Sequence, residues 1–370
     1  MTLSSLRLKN FRIHTDTKIN FSGNINYIVG GNGYGKTSIL ESIYYLCTTK
    51  SCSSKSDAEV VSFGRDEFEV SGNFEVLTKD EVKVIYSIPE SKKFYYRNSK
   101  QISKTPDIIG RFPVVLSTPS DHSITQGVPG ERRKFTDSVI SQASNTYLKI
   151  LLDYNRTLRQ RSSLLQRIKE TKNYALTDEL EAWTEKLLQG GLEIIKHRLA
   201  FIKNFHPFVR SSYYRIMGED EEPKITYYFL SDNLEDDIEN RFKSLLDERH
   251  NDELRRATNL VGPHRDDFIF KLNGLNLKTY GSQGQHKTFQ AVLRFAEFCY
   301  LKEVTGRSPL FLLDDVFGEL DAKRASKISE YLSEVGQAFV TLTDFGNFSY
   351  LKTGVEDKVI KLNRGEVANA

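Results

Sequence analysis

The spacing of apolar residues separates the chain into two kinds of segment. Toward the N-terminus the period is two. Phe68-Glu69-Val70-Ser71-Gly72-Asn73-Phe74 and Val82-Lys83-Val84-Ile85-Tyr86 alternate in the manner of half-buried strands. Phe112 to Leu116 reads as a further apolar strand, and Pro309 to Leu313 as a parallel strand buried on both faces. After Pro119 the pattern becomes helical. Leu151, Tyr154, Leu158, Leu165 and Ile168 share one helix face, interrupted by the polar Arg161. A second helix opens with Thr177 as its N-cap and Asp178 and Glu179 in the first turn, then runs through Leu180, Trp183, Leu187, Ile194, Leu199 and Ile202. The polar stretch from Lys169 to Asn173 joins the two into a short antiparallel arm.

Two half-motifs lie on either side of this arm. Asn26-Tyr27-Ile28-Val29 reads as a strand, and Gly30-Gly31-Asn32-Gly33-Tyr34-Gly35-Lys36-Thr37-Ser38 follows it, before the helical pattern of Ile39, Leu40, Ile43 and Leu46. This is the G-x-x-x-x-G-K-[ST] phosphate loop between its strand and its helix. The glycines, Gly30, Gly33 and Gly35 among them, let backbone N–H groups, including that of Asn32, converge on phosphates. Lys36 is then expected to reach the β- and γ-phosphates, and Thr37, followed by Ser38, to ligate magnesium. Far downstream, the apolar strand ends in Asp314 and Asp315. Ligands bind at the carboxyl ends of such strands, so Asp314 is placed to hold magnesium and Asp315 to orient or deprotonate water. Lys36, Asp314 and Asp315 are thus the candidate catalytic residues of one ATP site built from both ends of the chain.

Between the halves, Tyr280-Gly281-Ser282-Gln283-Gly284-Gln285 opens a helix carrying Phe289, Val292, Leu293, Phe295, Ala296 and Phe298. Ser282, Gly284 and Gln285 offer a hydroxyl, an amide and backbone N–H groups to an anion. Small polar residues are also ordinary helix caps, so this segment decides little alone.

In order, these three elements resemble the ABC-type ATPase head. In addition, Leu6 to Arg12, Gly35 to Leu46, Gly127-Val128-Pro129-Gly130-Glu131-Arg132-Arg133-Lys134-Phe135-Thr136-Asp137, Asn155 to Leu165 and Val261-Gly262-Pro263-His264-Arg265-Asp266-Asp267 are similar to the RecF family of bacterial recombination proteins. The likeness spans residues 1 to about 345. It implies an α/β fold: an ABC-type head with mixed β-sheets and a P-loop, assembled from residues 1–120 and 256–370, with a mainly helical arm inserted at 121–255. It implies a weak ATPase, using ATP and Mg2+, that dimerises when ATP binds. In such dimers the Ser282 segment closes over nucleotide held by the partner head, and Gly318-Glu319-Leu320-Asp321 lines the seam. It further implies roles in DNA replication, recombinational repair and the SOS response, with double-stranded and gapped DNA and the recombination mediator RecR as partners.

The chain departs from the head pattern at three places. Lys50-Ser51-Cys52-Ser53-Ser54-Lys55 stands where the family usually carries an arginine, leaving Lys55 as a substitute. Thr343 or Asp344 stands where related heads use histidine, and no glutamine follows Val114-Val115-Leu116. Slow hydrolysis is expected.

Composition changes the picture only at the margins. The chain has 370 residues, a length typical of about two domains, and 39% hydrophobic content. No apolar run reaches the roughly 18 residues that cross a bilayer, and the N-terminus lacks a signal-peptide core. Three cysteines, Cys47, Cys52 and Cys299, fit reduced thiols, so a cytoplasmic protein without a membrane partner is expected. A net charge of +3 is too mild to indicate nucleic acid, and any DNA contact must come from local clustering. The candidates are Arg132, Arg133 and Lys134, then Arg156, Arg159 and Arg161, whose cations contact phosphates without reading sequence. A solvated helix face is the competing reading. For Arg132 and Arg133, next to a Pro-Gly turn at a helix start, the helix dipole disfavours cations unless an anion or acidic partner is present. His264 and Arg265 fit either a structural or a functional role. Two other classes share the head: the nucleotide-binding subunit of a membrane transporter and an ATPase-coupled nuclease.

Overall fold

The structure, a computed structural model, describes residues 1–76, 78–218, 220–230, 237–319, 322–344 and 354–367. Its contacts group the chain into two units. One comprises Met1–Asp121, Ser211–Gly218 and Lys287–Ala370, and the other His122–Arg210 and Glu219–His286.

The first unit contains two sheets with a helix between them. In one sheet, β1 (Thr2–Phe11) pairs antiparallel with β2 (His14–Asn20) on one side and β4 (Glu67–Glu75) on the other. The sheet continues through β5 (Lys79–Ser87), β6 (Lys92–Arg97) and β7 (Lys100–Ile102). The alternation in β4 and β5 holds: Phe68, Val70 and Phe74 are buried while Glu67, Asn73 and Glu75 are exposed.

The second sheet joins the two ends of the chain. β3 (Ile25–Val29) lies between β13 (Ala338–Leu342) and β14 (Lys358–Asn363), and β13 pairs in turn with β12 (Leu310–Leu313), which pairs with β8 (Val114–Ser117). These pairings are parallel, and β15 (Glu366–Val367) closes the edge antiparallel to β14. Every residue of β8, β12 and β13 is buried, which explains their largely apolar runs, broken only by Ser117 and Thr341. Helix α1 (Lys36–Thr48) packs on β1, β4 and β5 of the first sheet and on β8 and β13 of the second. Its Ile39, Ile43 and Leu46 share one core with Leu6, Phe11, Ile28, Phe68, Phe112 and Phe339. On the other face, Phe295 and Phe298 of α8 (Gln283–Thr305) pack their rings on Phe311 of β12. Helix α9 (Ala322–Leu332) adds Tyr331, stacked on Phe295.

One buried amide pins the N-terminal strand to this sheet. Gln337 accepts from Leu3 N at 2.6 Å and donates to Leu3 O at 2.8 Å and Ser22 O at 2.7 Å.

The second unit is helical around a small sheet. It holds α2 (His122–Gln126), α3 (Pro129–Ala143), α4 (Asn145–Thr171), most of α5 (Thr177–Met217), α6 (Ile238–Arg256) and α7 (Leu277–Tyr280). In the arm, Leu164, Leu165 and Ile168 of α4 pack on Leu180 of α5, and Lys172, at φ 52°, ends α4 in the left-handed region. The unit extends beyond residue 255, however, because β10 (Asp267–Leu272) pairs antiparallel with β9 (Pro223–Tyr228) and with β11 (Leu275–Asn276). Residues 256–286, assigned from sequence to the C-terminal head segment, therefore belong to the helical unit.

Two buried arginines hold this unit together. Arg161, the polar interruption in the α4 stripe, donates to Glu253 Oε2 at 2.6 Å, Asn259 Oδ1 at 2.6 Å and Thr184 Oγ1 at 2.9 Å. Arg198 of α5 donates to both oxygens of Asp137 at 3.0 Å and to Pro263 O at 2.7 Å. Removing one partner of such a pair costs roughly 3–5 kcal/mol by stranding the other.

The Gln337 clamp yields a stability prediction. Gln337→Ala strands the buried N–H and C=O of Leu3, leaves Ser22 O with its bond from Asn26, and should cost about 2 kcal/mol, read as a lower urea midpoint. An unchanged midpoint contradicts the clamp.

Candidate nucleotide site

The loop after β3 is shaped by two left-handed glycines. Gly33 has φ 78° and Gly35 φ 92°. At Gly35 the reason is double, since a Cβ there would also stand 2.6 Å from His14 Nε2. Gly30 N–H donates to Leu342 O at 3.2 Å, which ties the loop to β13. Helix α1 starts without a side-chain cap, so its first N–H groups remain directed at the loop. Lys36 is buried and its ammonium curls back, donating to Gly30 O at 2.7 Å and Gly31 O at 3.1 Å.

The acidic strand end meets this loop. Asp314 Oδ1 accepts from Thr37 Oγ1 at 3.0 Å and from Thr341 Oγ1 at 2.9 Å. Burial pushes the Asp314 carboxyl up from its ordinary value, against the pull of the two hydroxyls. Asp315 differs from its neighbour. Its side chain is exposed, and its backbone sits at φ 53°, held by a 2.9 Å bond from its N–H to Thr341 Oγ1. A non-glycine residue at positive φ stores strain of roughly 1–3 kcal/mol, which here separates the two carboxylates into a buried and an exposed one.

These groups fit magnesium. A hydroxyl and a carboxylate, both hard oxygen donors, already face one another, and among the described residues the carboxylate forms no ion pair, Lys36 acting on it only through its charge. Thr37 and Asp314 would hold the ion. Gly30, Asn32, Gly33, Gly35, Lys36, Thr37 and Ser38 form the loop that would surround phosphates.

The other candidate residues sit as follows. Ser282 and Gln285 belong to the second unit and form a reciprocal cap at the start of α8: Gln285 N–H donates to Ser282 Oγ at 3.2 Å, and Ser282 N–H to Gln285 Oε1 at 2.8 Å. Ser282 remains exposed, and Gly284 lies between them. Thr343 and Asp344 are exposed beyond β13. Of the seam motif, Leu320 and Asp321 lie outside the described residues. The serine-rich turn after α1 is organised by buried Glu41, which accepts two bonds from Arg12 at 2.8 Å, one from Ser53 at 2.7 Å and one from Ser51. Lys55 on this turn is exposed.

Sequence reasoning missed His14, which is fully buried beneath the loop. Its Nε2 faces Gly35 O at 3.1 Å and its Nδ1 faces Gly365 O at 2.9 Å, so one ring braces the phosphate loop against the β14–β15 turn. Burial lowers its basicity. A histidine in a hairpin far from the loop carries no sequence signal of such a role.

The structure corrects two of the proposed DNA contacts. Arg132 is buried and forms a bidentate pair with Asp267 at 2.7 and 2.9 Å, and Arg161 is buried in the network already described. Their cations are consumed inside the unit. Arg133 is half-buried, while Lys134, Arg156 and Arg159 are exposed. His264 is half-buried and Arg265 is exposed, and both bond within the unit. His264, pushed down to about 4 by burial, bonds Tyr154 OH at 2.9 Å, and Arg265 donates twice to Asn259 O.

Residues 2–356 match the RecF/RecN/SMC N terminal domain. The chain is 37% identical to the DNA replication and repair protein RecF of Salinibacter ruber, over 94% of this chain and 86% of that protein. It is 39% identical to the RecF of Chloroherpeton thalassium, over 95% of this chain and 97% of that protein. Among solved structures, it superposes on the recombination mediator protein RecF with ATP, of the RecFOR pathway, with a TM-score of 0.88 at 32% identity, covering 99% of this chain and 96% of that one. The Smc head domain of Pyrococcus furiosus shares the fold, with a TM-score of 0.56 at 15% identity over 99% of this chain and 94% of that one. Sheet order, phosphate loop and acidic strand define an ATPase head of the ABC and SMC class. Within that class, the chain belongs to the RecF family of DNA replication and repair proteins.

The buried carboxylate makes a pH prediction. Because the folded pKa of Asp314 is raised, the native state holds its proton more tightly, and stability falls as pH rises through that pKa. Asp314→Asn, which retains an oxygen for Thr37 and Thr341, should raise the neutral-pH Tm of the ligand-free protein by about 2–4 °C. The gain should vanish in acid and the stabilisation by ATP with magnesium should be lost. A lower Tm at neutral pH contradicts this account.

Proposed function

We propose that this chain binds ATP and Mg2+ at the Lys36 loop, hydrolyses ATP slowly, and uses the nucleotide to join two heads into a clamp on duplex DNA at gaps. The observation that carries the reading is the 3.0 Å bond between Thr37 and Asp314, which brings the two half-motifs together in one unit.

The residues divide the work as follows. Lys36 exchanges its bonds to Gly30 O and Gly31 O for phosphate oxygens, and the loop N–H groups take the remaining charge. Thr37 and Asp314 would hold the metal, which when bound would supply positive charge against the phosphates. Asp315, exposed and fixed in its backbone, orients the attacking water. Neither Thr343 nor Asp344 supplies an imidazole, and Ser117-Thr118-Pro119 after β8 supplies no glutamine, so hydrolysis is slow and acts as a reset. Ser282, Gly284 and Gln285 complete the site of a partner head across the dimer seam. Arg133, Lys134, Arg156 and Arg159 remain as phosphate contacts. The protein is cytoplasmic, acts in recombinational repair with the mediator RecR, and promotes recombinase loading. Family membership sets aside the transporter subunit and the nuclease.

Two variants separate the parts. Lys36→Ala should abolish ATP-dependent dimerisation and weaken ATP binding at least tenfold, read by sedimentation and by nucleotide titration. Ser282→Arg should leave ATP binding by the monomer within about twofold yet block the dimer. Dimers formed by Lys36→Ala on ATP, or equal loss of both properties in Ser282→Arg, would falsify the assignment.

A further inference from the structure

We propose that a cavity of about 240 Å³ beside the start of α3 is a seat for one phosphodiester of duplex DNA, with Arg133, Lys134 and Asn155 as its ligands. This inference rests on the DNA-clamp reading and adds to it a specific point of contact.

The argument starts from two adjacent arginines with different fates. Arg132 is the fourth residue of α3, in the first turn where the helix dipole opposes a cation, and Arg133 is the fifth, just past that turn. Arg132 answers this with Asp267. Arg133 faces the cavity instead, and among the described residues its one protein bond there runs from Nη1 to a carbonyl, Asp266 O, at 2.6 Å. Burial and the nearby Arg198 guanidinium both weaken its hold on its proton, while Asp266, Asp137 and Asp267 oppose them. Neutralisation within the cavity is already spent. Asp137 lines it, but both its oxygens are taken by Arg198 and one also by Tyr147. His264 stands neutral at physiological pH with its ring nitrogens facing Tyr154 and Asn259.

What is left over in the lining is therefore positive: the Nη2 side of Arg133, and the exposed ammonium of Lys134, with the exposed amide of Asn155 as a neutral donor. At about 30 Å³ per water, the space holds roughly eight waters, enough for a tetrahedral phosphate with part of its hydration. An anion with two ester links suits an opening edged by exposed residues. On α4, Arg159 lies one turn beyond Asn155, about 5–6 Å away between Cβ atoms, in position for the next phosphate of the same strand.

Gly130 supplies a clean test. A Cβ at this position meets Arg133 Nη2 at 3.8 Å and nothing closer, so Gly130→Asp would place a carboxylate in the seat without crowding the fold. An acid in the first turn also favours the helix. Binding of fluorescent duplex DNA to the full chain, with ATP and magnesium present, is measured by anisotropy across a salt series. Gly130→Asp and Arg133→Gln should each weaken binding about tenfold and flatten the slope of log K against log salt by about 0.9, one phosphate contact. The Tm and ATP-dependent dimerisation of Gly130→Asp should stay at or above those of the parent. If the parent binds DNA and both variants match it in affinity and slope, the seat is overturned and the clamp stands. If the parent itself does not bind DNA, both are overturned.

Discussion

Asp314 Oδ1 accepts two hydroxyl hydrogens, one from Thr37 at the start of α1 and one from Thr341 within β13. The three residues come from opposite ends of the chain, and the parallel order β3–β13–β12 is what lets them meet. Burying a carboxylate there is unfavourable unless it is bonded, and the two hydroxyls offset that cost only in part. What remains is a site strained toward a cation. The same Thr341 hydroxyl that donates to Asp314 accepts the N–H of Asp315, so a single side chain arranges both acids. The phosphate loop depends on this junction through Gly30 and Leu342, and on His14 from the side of the antiparallel sheet.

The second unit treats its charges differently. Arg132, Arg161 and Arg198 are all buried, and each is matched to a carboxylate: Asp267, Glu253 and Asp137. Such pairs add little net stability over apolar substitutes, but once formed they are costly to break. With the matched arginines withdrawn, Lys134 of α3 and Arg156 and Arg159 of α4 are among the cations left exposed.

Much of the head was legible in the sequence because its signals are local. A loop with Gly35, Lys36 and Thr37 between a strand and a helix, and an apolar run ending in Asp314 and Asp315, state their own geometry. The insertion of β13 between β3 and β12 was not legible, since pairing of strands hundreds of residues apart leaves no local trace. Nor was the sheet that draws residues 256–286 into the helical unit, because β9 alternates over only six residues. The basic residues were the hardest to read. An arginine on an amphipathic helix looks the same whether it faces DNA or a carboxylate from elsewhere in the chain. For Arg161 one clue existed, its place in the middle of the apolar stripe, and that clue pointed inward. For Arg132 and Arg133 the helix-start argument demanded an anion for each, and the structure supplies it for one.

Sedimentation of the purified chain, with and without ATP, magnesium and a gapped duplex at moderate salt, tests the central claim most directly. A monomer that becomes a dimer only when ATP and magnesium are both present, and that then carries the duplex with it, is the predicted result. A monomer indifferent to nucleotide, or a dimer that forms equally well without it, would contradict an ATP-gated clamp.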